Sequence, residues 1–112
     1  MPELTDKHCV PCEDESFPPL NTAQVGDFME HVPLWSTNAD STEITRVFRF
    51  KDFKDALAFT NNVGNLAEAE GHHPDIQLGW GKVGLKLTTH SIKGLSENDF
   101  ILAVKIDLLD KL

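Results

Sequence analysis

No cluster of Lys and Arg occurs in this 112-residue sequence, whose 10 basic residues face 18 acidic ones for a net charge of −8. Phosphate contacts need grouped cations, so the balance argues against a nucleic-acid-binding surface. Long apolar runs are missing too. The longest is about five residues, against the roughly 18–20 needed to cross a bilayer, and no membrane span is expected. The opening Met1-Pro-Glu-Leu-Thr-Asp-Lys lacks the apolar centre of a signal peptide. A cytoplasmic location is therefore expected, with Cys9 and Cys12 reduced. There is no Walker pattern, and Gly79, Gly81 and Gly84 fall within a strand-turn-strand stretch, not between a strand and a helix, and read as strand and turn glycines. No H-x-x-x-H pair sets two metal ligands on one helical face. No motif places a Ser or Cys nucleophile beside a histidine.

What remains is a chain of one-domain length, 40% hydrophobic and 25% charged, apolar enough to fold around a core. Residues 1–19 carry prolines, both cysteines and several acids without periodicity, and read as a flexible arm ahead of a domain over 20–112. Within the arm, Cys9-Val-Pro-Cys12 follows His8, but no second C-x-x-C completes a tetrahedral zinc site. The pair is expected to be incidental to any catalysis.

Asn21-Thr-Ala-Gln24 resembles a capping box, and Val25, Phe28, Met29 and Val32 follow at helical spacing. They predict a first helix over 22–32, stopped by Pro33. Leu34-Trp35-Ser36-Thr37 reads as a short strand, and Asn38-Ala-Asp-Ser41 as a turn. Residues 43–50 alternate as a second strand, with Ile44, Phe48 and Phe50 on one face and Arg46 interrupting it. Asp52 caps a longer helix over 53–70, whose buried stripe is Phe53, Ala56, Leu57, Thr60, Val63 and Ala67. Gly64 offers close packing on a sheet, and Gly71 suits the residue just past the helix end. Ile76, Leu78 and Trp80, then Val83, Leu85 and Leu87, predict a hairpin turning at Gly81-Lys82. Ser96-Glu-Asn-Asp99 caps a third helix that buries Phe100, Ile101, Val104 and Leu108. The expected fold class is α+β, order α-β-β-α-β-β-α, with a four-stranded antiparallel sheet and three helices on one face.

Chemistry concentrates at Glu68-Ala-Glu-Gly-His72-His73-Pro74 and at His90, which hold three of the five histidines. A histidine just past a helix end meets the negative pole of the helix dipole, which favours the imidazolium. Glu68, four residues before His72, and Glu70 are carboxylates that could orient it. Such a site can hold a proton for an acid-assisted loss of hydroxide. Structural capping roles, or His₃ and His₂Glu metal ligation, use the same residues.

Glu68-x₃-His72-His73-Pro74-x₅-Trp80-x₉-His90-x₈-Asp99 resembles the signature of pterin-4a-carbinolamine (4a-hydroxytetrahydrobiopterin) dehydratases. Phe50-Lys-Asp-Phe53, Ala56-Leu-Ala-Phe59 and His90-Ser-Ile-Lys-Gly-Leu95 extend the likeness over about residues 20–110. The C-x-x-C arm and the Glu68–Pro74 phrase resemble bacterial members associated with phenylalanine hydroxylase. The resemblance implies a hydro-lyase that takes 4a-hydroxytetrahydropterin to quinonoid dihydropterin, recycling the pterin of aromatic amino acid hydroxylases, with no metal or organic cofactor. It puts His72, His73 and His90 in the catalytic set, His72 and His90 as acid/base groups and His73 on the pterin. Gly71, Thr88, Thr89 and Ser91 would line the same pocket, with Glu68 and Asp99 in support. Asp99 is expected chiefly to cap the third helix, and Trp80 to be a sheet residue. Homodimer or homotetramer assembly is implied as well. The rival class is a protein-binding module, since vertebrate relatives double as dimerisation cofactors of a homeodomain transcription factor.

Overall fold

The first helix starts where two side chains satisfy its opening amides. In the computed structural model, which describes residues 18–110, Asn21 Oδ1 accepts from the Gln24 amide at 2.8 Å and Gln24 Oε1 from the Asn21 amide at 2.9 Å. Helix α1 covers Thr22–Met29, shorter than the spacing predicts. Its last residues tighten into turns in which His31 and Val32 donate to Phe28 and Met29, ahead of Pro33, whose ring disfavours a helical Val32. His8, Cys9, Cys12 and all but the last two residues of the expected arm lie outside the described residues.

Pro33 also shortens the strand that follows. The Trp35 amide donates to the Val32 carbonyl at 3.0 Å, a turn with proline at its second position. Strand β1 is therefore only Ser36–Thr37, and Leu34 is left exposed. Asn38 then organises the reversal, its Oδ1 accepting from the amides of Thr42 and Glu43 at 2.8 and 3.1 Å. Strand β2, Ile44–Arg49, buries Ile44 and Phe48 as expected. Arg46 reaches Asp107 at 2.6 Å, and its guanidinium lies 4.1 Å from the Phe48 ring centroid. The Trp35 indole N–H donates to the same Asp107 Oδ1 at 2.8 Å.

Helix α2, Phe53–Glu70, opens with Asp52 accepting from the Asp55 amide and closes at Gly71, whose φ is +68°. Its buried stripe is Ala56, Phe59, Val63 and Ala67. Phe53 and Leu57, expected inside, are 44% and 40% exposed. The stripe rotates toward Phe59 because that ring packs on Phe48 and Phe50, with centroids 4.7 and 5.1 Å away. A Cβ on Gly64 would meet nothing within 4 Å, so close packing on the sheet is not its role.

Strands β3, Asp75–Gly79, and β4, Lys82–Leu87, pair with Leu78 opposite Val83 and Gly79 opposite Lys82. The two loop residues are Trp80 and Gly81, with Gly81 at φ +69°, rather than Gly81 and Lys82. The predicted and observed registers differ by two residues, a slip that leaves every side chain on its own face. Only one-residue slips exchange the faces, so alternation could not separate the two. Trp80 is a loop residue, 73% exposed, not a strand residue.

The sheet order is β1-β2-β4-β3, antiparallel throughout. Helix α3, Glu97–Asp110, completes the α-β-β-α-β-β-α order of an α+β fold. Ile44, Phe48, Val83, Leu85 and Leu87 from the sheet meet Val25, Phe59, Val63, Phe100 and Ile106 from the three helices in one core. The opposite face shows Thr45, Val47 and Arg49 to solvent. Helix α3 is buried more fully than an amphipathic stripe requires: Leu102, Ala103 and Ile106 join Phe100 and Ile101. Val104 is half-buried and Leu108 is exposed, against expectation. Among the described residues no helix is long and apolar enough to cross a membrane.

Candidate active site

The left-handed turn at Gly71 splits the histidine pair. Gly71 and His72 both donate their amides to the Ala67 carbonyl, a helix-ending arrangement that needs φ > 0 at the glycine. His72 is then carried inward, with its side chain 11% exposed, and His73 outward at 58%.

His72 Nε2 lies 2.6 Å from Asp99 Oδ1, a fully buried carboxylate oxygen in the first turn of α3. Asp99 Oδ2 accepts two further hydrogen bonds, from the Thr89 hydroxyl at 2.8 Å and the Ser96 amide at 2.9 Å. The bond from Ser96 is the expected helix cap; the contact with His72 is additional to it. A carboxylate only accepts, so His72 Nε2 carries the proton in this contact, and in the neutral imidazole Nδ1 is left to accept. The Thr89 hydroxyl spends its proton on Asp99, so the Ser96 hydroxyl, 2.7 Å away, donates to Thr89. One carboxylate thus gathers donors from the end of α2, the segment after β4 and the start of α3.

The glutamates are arranged otherwise than the spacing suggests. Glu68 meets His73, not His72, at 3.2 Å. Both side chains are more than half exposed, where such a pair contributes about 0–1 kcal/mol. Glu70 turns away to Lys105 of α3 at 3.1 Å, with side chains 6% and 13% exposed. The carboxylate that orients His72 comes from the far end of the motif. Lys105 had no motif or periodicity to mark it.

His90 opens a single 3₁₀ turn, His90–Ile92, directly after Thr89. His90 and Ser91 are exposed. The turn is closed by Lys93 at φ +56° and by Thr89 and Gly94 exchanging backbone hydrogen bonds. Of the expected pocket residues, Gly71, His73, His90 and Ser91 face solvent, whereas Thr89 is 2% exposed. Thr88 donates its hydroxyl to the Thr42 carbonyl at 2.7 Å. Trp80 stands at the other end of β3, roughly 20 Å from His73 at the usual strand rise, out of reach of this cluster within one chain. Among the described residues, no three His, Cys, Asp or Glu side chains are grouped to hold a metal ion.

A family model described as Pterin 4 alpha carbinolamine dehydratase matches residues 18–109. The chain belongs to this family. Proteins that carry its name in Methylococcus capsulatus and Halorhodospira halophila are 48% and 50% identical, each over 95% of this chain and 92% and 96% of their own. The family is one of hydro-lyases. The crystal structure of a transcriptional coactivator/pterin dehydratase from Brucella melitensis superposes with a TM-score of 0.77 at 30% identity, over 81% of this chain and 97% of its own. A pterin dehydratase-like protein described as a RuBisCO assembly factor of the alpha-carboxysome shares the fold, with a TM-score of 0.60 at 23% identity over 71% of this chain and 93% of its own.

Proposed function

We propose that the chain removes water from 4a-hydroxytetrahydropterin to give quinonoid dihydropterin, with His72 and His90 as the acid/base pair. The observation that carries this reading is the 2.6 Å contact between His72 and the buried Asp99, which fixes the ring and directs Nδ1 away from the carboxylate. In the reaction a ring-nitrogen lone pair expels the 4a-hydroxyl as an acid protonates it. N5 gives up its proton to a base, and the balance is one water lost. One imidazole supplies the first proton and the other takes the second. His73, more exposed and held only by Glu68, binds the pterin, with Gly71 and Ser91 beside it. The product is what a reductase needs to regenerate the cofactor of aromatic amino acid hydroxylases. Recycling for phenylalanine hydroxylase in the cytoplasm, by a homodimer or homotetramer, completes the reading.

The test is single-turnover decay of 4a-hydroxytetrahydropterin, followed by absorbance. His72→Ala and His90→Ala should each lower kcat by roughly 10²-fold or more, and the double variant should lose more than either. His73→Ala should raise KM more than it lowers kcat. Wild-type kcat/KM in all three variants, folded normally, would sink the proposal. Likeness to the Brucella melitensis protein, described as a transcriptional coactivator as well as a pterin dehydratase, favours a second reading, a protein-binding module. Saturable binding of a homeodomain-factor peptide by a protein that leaves 4a-hydroxytetrahydropterin untouched would establish that reading instead.

A further inference from the structure

Thr89 belongs, by its place beside His90, among the residues expected to line a pterin pocket, yet its hydroxyl is not available to a ligand. The side chain is buried, its proton goes to Asp99 Oδ2 at 2.8 Å, and its oxygen receives the Ser96 hydroxyl at 2.7 Å. The backbone of the same residue bridges to Gly94, N to O at 2.8 Å. Thr89 therefore touches the carboxylate that holds His72 and is covalently next to His90.

We propose that Thr89 is a positioning residue that locks the Asp99 carboxylate for His72 and ties the His90 turn to it, and that it makes no contact with substrate. Asp99 Oδ1 can face His72 Nε2 along one direction only if the carboxylate plane is fixed. That plane is set by what Oδ2 receives, the Thr89 hydroxyl and the Ser96 amide. With the hydroxyl gone, the Ser96 amide alone remains on Oδ2, and the carboxylate can rotate about its last bond. The Ser96 hydroxyl fixes the direction of the Thr89 proton, since a hydroxyl that accepts along one lone pair has fewer orientations left for donating. The proposal rests on the dehydratase reading for its kinetic consequence, but not for its structural one.

Thr89→Val keeps the branched shape and removes the hydroxyl; Thr89→Ser restores the hydroxyl and removes only a methyl group. Thr89→Val should lower kcat about tenfold with KM within about twofold of wild type. That is the low end of the loss seen when the outer partner of a metal-bound histidine is removed. Thr89→Ser should recover most of it. The second readout needs no turnover. The His72 Nε2 proton, held in a short hydrogen bond and protected from solvent, should give a far-downfield imidazole resonance in proton NMR. It should broaden or vanish in Thr89→Val and return in Thr89→Ser, both recorded well below the melting temperature. A rise in KM alone would make Thr89 a substrate contact and overturn the proposal. So would an unchanged resonance in folded Thr89→Val. If wild-type protein failed to dehydrate the pterin, the functional reading would fall, while the resonance would still decide the role of Thr89.

Discussion

Replacing Asp99 by Asn removes a charge while keeping the shape, and it should separate folding from chemistry. Asp99 receives three donors: His72 Nε2, the Thr89 hydroxyl and the Ser96 amide. An asparagine can still accept the last two on its carbonyl oxygen, where both already converge. Its amide then faces His72, and an N–H cannot meet another N–H. His72 must therefore shift its proton from Nε2 to Nδ1 and accept from the new amide. Each hydrogen bond changes from charge-assisted to neutral, a difference of about 1 kcal/mol. Relief from holding a buried carboxylate offsets part of the sum. A net loss of about 2 kcal/mol follows, or roughly 10 °C in Tm for a domain of this size. The protein should fold, with unchanged far-ultraviolet circular dichroism. The kinetic cost is larger, because Nδ1 then bears a proton where the neutral wild-type imidazole offers a lone pair. The kcat for 4a-hydroxytetrahydropterin should drop by about 10²–10⁴. A folded Asp99→Asn protein with wild-type kcat would show that Asp99 only caps α3, and that the short contact with His72 does nothing for the reaction.

Three further outcomes can be checked. Lys105→Met removes the ammonium 3.1 Å from the Glu70 carboxylate, and should cost about 1–3 kcal/mol by urea denaturation. A loss under about 0.5 kcal/mol would put the pair with exposed ion pairs that contribute little. Gly81→Ala forces a Cβ to φ +69° with the Phe50 carbonyl oxygen 3.0 Å away, and should destabilise by about 1–2 kcal/mol; a neutral result would place the turn elsewhere. Deleting residues 1–17, which precede the family match beginning at residue 18, should leave dehydration and Tm nearly unchanged, and a large loss would give the C-x-x-C segment a part in the fold or the reaction.

The elements and their order were legible because their signals are local. Asn21 and Asp52 open helices, Gly71 ends one, and alternation marks β2, β3 and β4. Boundaries failed where a neighbour decided them: Pro33 took two residues from β1 for a turn, and Phe59 drew the stripe of α2 toward the aromatic side chains of β2. The turn at Trp80-Gly81 escaped because the pattern is blind to a two-residue slip. In the site, the histidines and Asp99 were marked by spacing, but the pairing among carboxylates and imidazoles was not. Sequence proximity favours Glu68 for His72. The reversal at Gly71 hands Glu68 to His73 instead and brings in Asp99 from 27 residues away. Such a pairing depends on how α2 and α3 pack, which no local window contains.

The two tryptophans sit in opposite surroundings, and that makes the chain its own optical reporter. Trp35 is 3% exposed and Trp80 73%, and no tyrosine competes with them. Iodide should quench the emission of Trp80 and spare that of Trp35, so the two signals can be resolved without a label. They also mark different events in folding. Trp80 lies in the two-residue loop of a hairpin, a local contact of the kind that closes in about 1–10 μs. The Trp35 indole bonds Asp107, 72 residues along the chain, and can reach its native colour only after α3 has docked on the sheet. A stopped-flow trace in iodide would then time the closing of the core, separately from the hairpin that precedes it.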